Sequence, residues 1–212
     1  MRRKPMSRYL ITSHVAALAI GILLSASQIT SAADAQRVRV RGDIASLSSD
    51  TLVVKTREGA DQTIALKPEW KVGGIKKASV EDIKPGDFVG IASLPKQDGG
   101  DGALEVLIFP AAMKGTGEGS RPWDLKPNSS MTNATVAKAV KSVDGHTVTL
   151  TYQGKEKTIS ISDDTPIVTF TAAQKSDLTP GAHVIVMGEK TADGTVSAAQ
   201  VTVGTNGIVP PM

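Results

Sequence analysis

The stretch TLVVKT at residues 51–56 returns as TVTLTY at residues 147–152, and this recurrence decides the fold prediction. In both stretches branched apolar and threonine side chains alternate, which is the two-residue period of a half-buried β-strand. Further along the chain, DIKPG at residues 82–86 returns as DLTPG at residues 177–181. The offset between the copies stays near 95 residues throughout. A nearly constant offset indicates a duplicated unit.

Both copies contain the same order of predicted elements. Three alternating segments come first, then a short stretch of helix-forming residues, and two more alternating segments follow a Pro-Gly turn. The helical stretches are residues 77–83 and 172–178. Three strands, a helix and two strands is the element order of an OB-fold, a five-stranded Greek-key barrel. The alternative is a small open sandwich of the same strands, but closure is favoured because an isolated sheet would expose its edges.

The repeated motif D-[I/L]-x-P-G, followed by alternating apolar residues, resembles that of an uncharacterised family of exported bacterial proteins with OB-like domains of unknown function. The resemblance covers a first copy at residues 36–112 and a second copy at residues 134–205. It implies an envelope location and β-barrel modules, and it implies no catalytic residues. The chain is predicted to be all-β, with two tandem OB-like barrels that contain one short helix each. Residues 113–133 are predicted to be a connector and residues 206–212 a frayed tail.

Residues 1–35 have the pattern of a secretory signal peptide. A basic start is followed by the apolar run VAALAIGILL at residues 15–24. Small residues at Ala33 and Ala35 predict cleavage after Ala35, with Ala32 as the alternative site. The run is short for a permanent span, which takes about 20 residues, although an uncleaved N-terminal anchor is the alternative. The mature protein is therefore predicted to be periplasmic or secreted in a bacterium, with no membrane span.

Composition argues against several classes of function. Four of the 24 basic residues and one of the 21 acidic residues lie in residues 1–35, which leaves 20 of each and no net charge. Nucleic-acid binding usually needs a basic excess to neutralise phosphate, so no nucleic-acid partner is expected. The chain has no Cys, which excludes disulfides and thiolate chemistry. No catalytic motif is recognisable, so no catalytic residue, cofactor or metal site is predicted.

The connector contains the candidate functional residues. A large aromatic side chain is unusual in a linker, and Trp123 is flanked by Arg121 and Asp124. These three residues are predicted to form a ligand or interface site where the two barrels meet, because ligands often bind at domain junctions. Trp123 would stack on the ligand, and its neighbours would add polar contacts. In the structural alternative, Trp123 fills the groove and fixes the orientation of the barrels.

We therefore expect a non-enzymatic periplasmic binding or interaction module. The expected partner is an envelope protein or an envelope polymer, because the duplicated barrels and the connector offer a surface without a catalytic constellation. The second hypothesis is a weak metal- or small-ion-binding protein of the envelope. It rests on the acidic pairs Glu81-Asp82 and Asp163-Asp164, whose oxygens could hold a divalent ion. The third is an enzyme with no recognisable motif.

Overall fold

A computed structural model describes residues 36–142 and 145–210 of the chain, and the signal-peptide prediction lies outside these residues. The described part is all-β, as predicted, and it contains no helix that is long and apolar enough to cross a membrane. Its strands are β1 Gln36–Leu47, β2 Thr51–Thr56, β3 Asp61–Lys77, β4 Phe88–Pro95, β5 Asp101–Ile108, β6 Gly119–Pro122, β7 Ser130–Ser142, β8 Gly145–Tyr152, β9 Lys155–Ile161, β10 Ile167–Thr171, β11 His183–Lys190 and β12 Val196–Gly204.

The helices predicted at residues 77–83 and 172–178 are each reduced to one turn of 3₁₀-helix, Val80–Asp82 and Lys175–Asp177. In both turns the last residue, an aspartate, accepts a hydrogen bond from the backbone N–H three residues earlier, at 2.8 Å and 2.7 Å. This bond closes a single turn. The proline that follows lacks a backbone N–H and prevents a longer helix.

The repeated D-[I/L]-x-P-G motif has a structural cause. After the capping aspartate, Ile83 and Leu178 are buried, at 3% and 4% exposure. The Pro-Gly pair then forms a turn in which the glycine has a positive φ, 93° at Gly86 and 84° at Gly181. Turns of this kind need a left-handed residue after the proline, and glycine adopts that conformation without strain. The motif therefore leads into β4 in the first copy and into β11 in the second.

Strands are exchanged between the two copies. In the first copy, β1, β2 and β3 pair in sequence order. The ring is completed by β12, parallel to β3, and by β11, antiparallel to β1. These five strands form a closed barrel. A corresponding ring consists of β7, β8 and β9 of the second copy with β5 and β4 of the first, and β5 and β9 share two residue pairs.

The two main hydrophobic cores reflect this exchange. In the first core, strands β1 to β3 pack against Leu178 and Val196, which belong to the second copy. In the second core, strands β7 to β9 pack against Ile83 and Val106, which belong to the first copy. Burial of apolar surface is the main stabilising contribution in a domain without disulfides. Each core therefore depends on residues of both copies.

The two rings meet along β3, β10 and β5. The C-terminal half of β3 pairs antiparallel with β10, with Ile75 opposite Phe170, and β10 pairs parallel with β5. A third, smaller core around Ile75, Leu107 and Val168 lies here, and Phe170 and Ile208 pack against it. Because Ile208 is packed, the described part of the C-terminal segment is not frayed as predicted.

The predicted arrangement, in which each copy closes its own barrel, is not what the strand pairings show. Each ring takes three strands from one copy and two from the other. The sequence pattern is the same in both arrangements, because a strand buries the same face whichever copy supplies its neighbour. The predicted connector at residues 113–133 also differs, since it contains strand β6 and ends where β7 begins at Ser130.

Candidate functional site

The connector is an ordered loop that begins as a strand. β6 pairs antiparallel with the start of β7, with Arg121 opposite Met131. The chain then turns back at Trp123, whose backbone N–H donates to the Ser129 carbonyl at 2.8 Å. The hydroxyl of Ser129, a buried residue, lies 3.0 Å from the Trp123 carbonyl oxygen and 2.7 Å from that of Lys126. These contacts fix the backbone that carries Trp123 and its neighbours.

Asp124 forms ion pairs with two arginines of β1. Arg39 and Arg41 are two residues apart on a strand, so their side chains share its outer face. The Arg39 Nη2–Asp124 Oδ2 and Arg41 Nη2–Asp124 Oδ1 distances are both 3.0 Å. Burial opposes ionisation of this carboxyl, but hydrogen bonds and charge from Arg41 and Arg39 outweigh it and lower the pKa of Asp124 to about 2. Asp124 is a charged anchor between the connector and β1.

The Trp123 ring packs on the same arginines. The guanidinium carbon of Arg39 lies 4.0 Å from the ring centroid, and those of Arg41 and Arg121 lie 5.8 Å and 5.7 Å away. Distances within about 6 Å are typical of cation–π interactions. The ring nitrogen is buried and has no hydrogen-bond partner in the described part of the chain. The ring contacts the protein's own cations, which favours a structural role for Trp123, although not the predicted one of filling a groove between two barrels.

Arg121 completes this group, which we call the arginine–tryptophan cluster (Arg39, Arg41, Arg121, Trp123 and Asp124). The Arg121 guanidinium donates to the Gly117 carbonyl at 2.9 Å. Burial and the nearby charge of Arg39 lower the pKa of Arg121. The structure thus brings the three predicted residues together and adds two arginines that sequence reasoning missed. The available signal was the alternation RVRVR at residues 37–41, which places a row of cations on one strand face.

We expect folding stability to fall between about pH 4 and pH 2 as Asp124 is protonated. Its folded-state pKa of about 2 lies below its unfolded value. The stabilisation is therefore present above the unfolded value and is lost as pH falls through the folded one. Because the Asp124 side chain is 47% exposed, solvent screening limits its contribution to about 1 kcal/mol. Urea unfolding of the wild type and of Asp124→Asn across this pH range measures the difference.

The matched control is Asp98→Asn. Asp98 is 75% exposed and pairs with one lysine at 3.4 Å. This substitution is expected to leave the stability profile unchanged within experimental error, because exposed pairs contribute little. A profile for Asp124→Asn that parallels the wild-type curve down to about pH 2 would contradict the anchoring role.

A large cleft lies beside the cluster. Its volume is about 1210 Å³, and it is lined by residues of both copies, by Leu125 of the connector and by the C-terminal residues Ile208 and Val209. Arg41 belongs to both the cleft and the cluster, whereas Trp123 and Asp124 do not line the cleft. The sequence predicted a site of Arg121, Trp123 and Asp124 where two barrels meet, and none of these three residues lines this cleft. We call it the junction cleft.

The junction cleft has charges of both signs around an apolar floor. Ile167, Val168 and Val184 contribute to the floor. No Trp, Tyr or Phe is among the described residues that line it, so it lacks the stacking surface that planar rings use. The charged lining residues are Arg41, Arg57, Lys77, Lys141, Asp43, Glu81, Glu105, Asp163 and Asp164.

Two histidines, His146 and His183, line this cleft. His183 Nδ1 lies 2.5 Å from Asp43 Oδ1, its cross-strand neighbour on β1. The equivalent residues of the second ring are Phe88 and Thr135, which also face each other across two paired strands. The histidine–aspartate pair of the first ring therefore has no counterpart at this position of the second ring. In the described part of the chain, no group of three His, Asp or Glu residues is arranged to hold a metal ion.

A second polar group, the lysine cluster (Lys157, Asp101, Ser93, Ser130 and Thr132), closes one end of the second ring. Lys157 Nζ lies 2.7 Å from Asp101 Oδ2. It also lies 3.1 to 3.4 Å from the hydroxyl oxygens of the two serines and the threonine. Sequence reasoning missed this group because its members come from four strands that are far apart in the chain.

A lysine beside serines is a possible catalytic pair only if its amine is neutral. Burial of Asp101 opposes ionisation, but hydrogen bonds from Lys157 and Ser93 prevail and lower the pKa of Asp101. The carboxylate is therefore charged at neutral pH and forms an ion pair with the ammonium group. The Lys157 amine is already held by this carboxylate and by three hydroxyl oxygens, so the contacts describe a structural cluster.

Fold and site together define an all-β protein with a cleft where its two copies meet. No family model, curated protein or solved structure matches the chain. Its function must therefore be argued from the cleft, the connector and the exposed strands.

Proposed function

We propose that this protein is a non-enzymatic binding module of the bacterial envelope, and that its junction cleft holds an extended segment of another protein. The observation that carries the proposal is the cleft itself, with a volume of about 1210 Å³ and walls from both copies. Small-molecule sites occupy about 300–1,000 Å³, so this cleft has room for a larger ligand such as several residues of a peptide.

The chemistry of the cleft favours a protein segment over an envelope polymer. A peptide offers apolar side chains, charges of both signs and backbone amides, and the cleft presents a matching mixture. A polyanionic polymer would be expected to meet a wall of one sign. A sugar or base would be expected to meet an aromatic surface. Neither is found among the described lining residues, which include Asp43 and Glu81 beside Arg57 and Lys77.

The arginine–tryptophan cluster supports this function by holding the cleft wall in place. Trp123 and Asp124 attach the connector to β1 through Arg39 and Arg41. The next residue, Leu125, lines the cleft. A wall that is fixed before binding reduces the entropy lost on association. In this proposal the predicted residues position the site rather than contact the ligand.

The envelope location is proposed from residues 1–35, whose charge and apolar run are those of a secretory signal peptide. When strands are numbered by their place in the repeat, the order around each ring is 1-2-3-5-4, and this order supports the proposal that the rings are OB-like barrels. Such barrels often serve as binding modules, and this order supports the proposal at the level of fold alone.

The proposal is tested with random peptides of about 12 residues, displayed on phage and selected against the exported protein. Selected peptides are expected to bind the wild type and to lose about tenfold or more in affinity with Leu125→Asp or Val209→Asp. Each substitution places a charge on an apolar part of the cleft, and burying it without a partner costs more than the 1.4 kcal/mol that corresponds to tenfold.

The matched control is Val140→Asp. Val140 is an exposed apolar residue that does not line the cleft, so its substitution should leave peptide affinity unchanged. Unfolding curves of all three variants check that the fold is retained. Selection of no peptide, or of peptides that bind both cleft variants as tightly as the wild type, would contradict the proposal.

A further inference from the structure

We propose that the outer edge of β1 is a second binding site, which accepts an extended acidic segment of a partner protein as an added β-strand. This site goes beyond the junction cleft, and its argument does not depend on what the cleft binds. It rests on a difference between the two rings, on unpaired backbone groups, on a small apolar pocket and on a basic rim.

The two rings differ at equivalent strand edges. The edge of β7 at Ser130–Asn133 is covered by β6, which is Gly119–Pro122. The equivalent residues of β1 are Val38–Arg41, because Gly188 of β11 and Ser93 of β4 hold corresponding positions opposite the two segments. Among the described residues, no strand lies along this edge of β1. Within the residues that the structure describes, one edge is covered by a strand of the chain itself and the other is open.

Along the open edge, backbone N–H and C=O groups of β1 point away from β11. Ile44 donates its N–H toward β11, whereas Arg41 uses its carbonyl on the opposite side, where it accepts from the Arg57 N–H at 3.3 Å. Bonding direction alternates along an antiparallel strand. Arg37 and Arg39 therefore direct their N–H and C=O groups outward, as Arg41 does. An exposed row of such groups is where an added strand pairs.

A small pocket opens beside this edge. In the second ring the lysine cluster occupies the equivalent place, and Ser120 of β6 reaches it, with its hydroxyl 3.0 Å from that of Thr132. In the first ring a pocket of about 180 Å³ lies there, with Val38, Val40 and Val196 among its lining residues. An added strand in the position of β6 would direct one side chain into this pocket, and an apolar side chain fits its walls.

The rim of the pocket is basic, which selects the partner. It carries four basic side chains and one acidic one, Arg39, Arg41, Arg57, Lys190 and Glu58. Asp124 already pairs with two of the arginines. Arg57 and Lys190 form no salt bridge within the described part of the chain. A second copy of the protein is disfavoured, because its own arginine-rich edge would face this one.

The expected ligand strand has an apolar residue opposite Val40 and acidic residues on either side of it. The probe is therefore a capped peptide of about seven residues in which Glu and Val alternate, a length typical of a strand. Its binding to the exported protein is measured by fluorescence anisotropy. Arg57→Glu combined with Lys190→Glu is expected to lower its affinity about tenfold or more, because both rim cations become repulsive.

The matched control reverses two exposed lysines away from the pocket, Lys138→Glu with Lys155→Glu, and is expected to leave affinity unchanged. A peptide methylated on the backbone nitrogens that face β1 is expected to lose binding, because it cannot donate to the Arg39 carbonyl. Leu125→Asp is expected to bind the probe as the wild type does. Because Arg57 also lines the junction cleft, the Leu125→Asp measurement is the one that distinguishes failure of this site from failure of the cleft.

Three results would overturn the proposal. Equal binding of the methylated peptide would show that charge alone holds the probe. Tighter binding of a single-stranded nucleic acid than of the peptide would assign the basic rim to a different class of ligand. A concentration-dependent dimer that disappears with the Arg57→Glu and Lys190→Glu pair would show that a second copy occupies the edge.

Discussion

A disulfide is expected to form when Arg37→Cys and Glu189→Cys are combined, and it should raise the free energy of unfolding by about 4 kcal/mol. The two residues face each other across the pairing of β1 with β11. They occupy a non-hydrogen-bonded position, where Cα atoms lie about 4.5 Å apart, within the range of a disulfide. The bond would close a loop of about 150 residues, and long loops lose the most entropy in the unfolded chain.

The matched control combines Arg37→Cys with Leu94→Cys. Leu94 is the residue of the first copy that corresponds to Glu189, so it would face Arg37 if that copy closed its own barrel. Because the natural chain has no Cys, thiol titration under non-reducing conditions reports each bond without interference. Urea unfolding with and without reductant measures the stabilisation. A bond in the control pair and none between positions 37 and 189 would contradict the exchange of strands.

The exchange could not be predicted from the sequence, although nearly every strand could. The alternation that places Leu52 and Leu150 in a core is unaffected by which copy supplies the facing strand. The D-[I/L]-x-P-G motif likewise specifies a cap and a turn in either arrangement. The exchange follows the path of the chain after β3, whose end pairs with β10 before the chain enters the second ring at β4. The alternation of apolar residues does not predict that path, because it shows which side chains are buried and not which strand lies beside them.

The connector residues of the candidate site could be predicted from the sequence. Trp123 is a rare residue in a connector, and it drew attention to Arg121 and Asp124, which the structure places around it. Arg39 and Arg41 are about 80 residues away in sequence, and only the fold brings their guanidinium groups to Asp124. The alternation RVRVR at residues 37–41 places these cations on one strand face, but it does not show which connector residue they meet. The junction cleft was missed in detail for the same reason, since its walls come from both copies.

The two ring ends show how duplicated sequences diverge after the fold is established. The end that β6 covers is filled by the lysine cluster, whereas the equivalent end of the first ring has Gln62 and Val196 where the second has Lys157 and Asp101. The second ring therefore has an ion pair at the positions where the first ring has an amide and a valine. This difference defines a stability experiment in which the first ring supplies the substitutions.

Lys157→Gln is expected to lower the free energy of unfolding by about 3 kcal/mol, because it removes the partner of a largely buried carboxylate. Asp101 and Lys157 are 18% and 20% exposed. Without the ammonium group, burial becomes the main influence on Asp101 and raises its pKa above the unfolded value. The loss should therefore be largest at neutral pH. The loss should shrink below about pH 4, where Asp101 of the variant is protonated in both the folded and the unfolded state.

Adding Asp101→Val to Lys157→Gln is expected to recover at least half of the lost stability. Val196, the equivalent residue in the first ring, is buried and belongs to its core, so the position accepts a valine. Urea unfolding of the wild type, both single variants and the double variant completes a double-mutant cycle. A single variant as stable as the wild type, or a double variant no more stable than Lys157→Gln, would contradict the ion pair as the source of the effect. Recovery would mean that the residues at the two ring ends are interchangeable in stability.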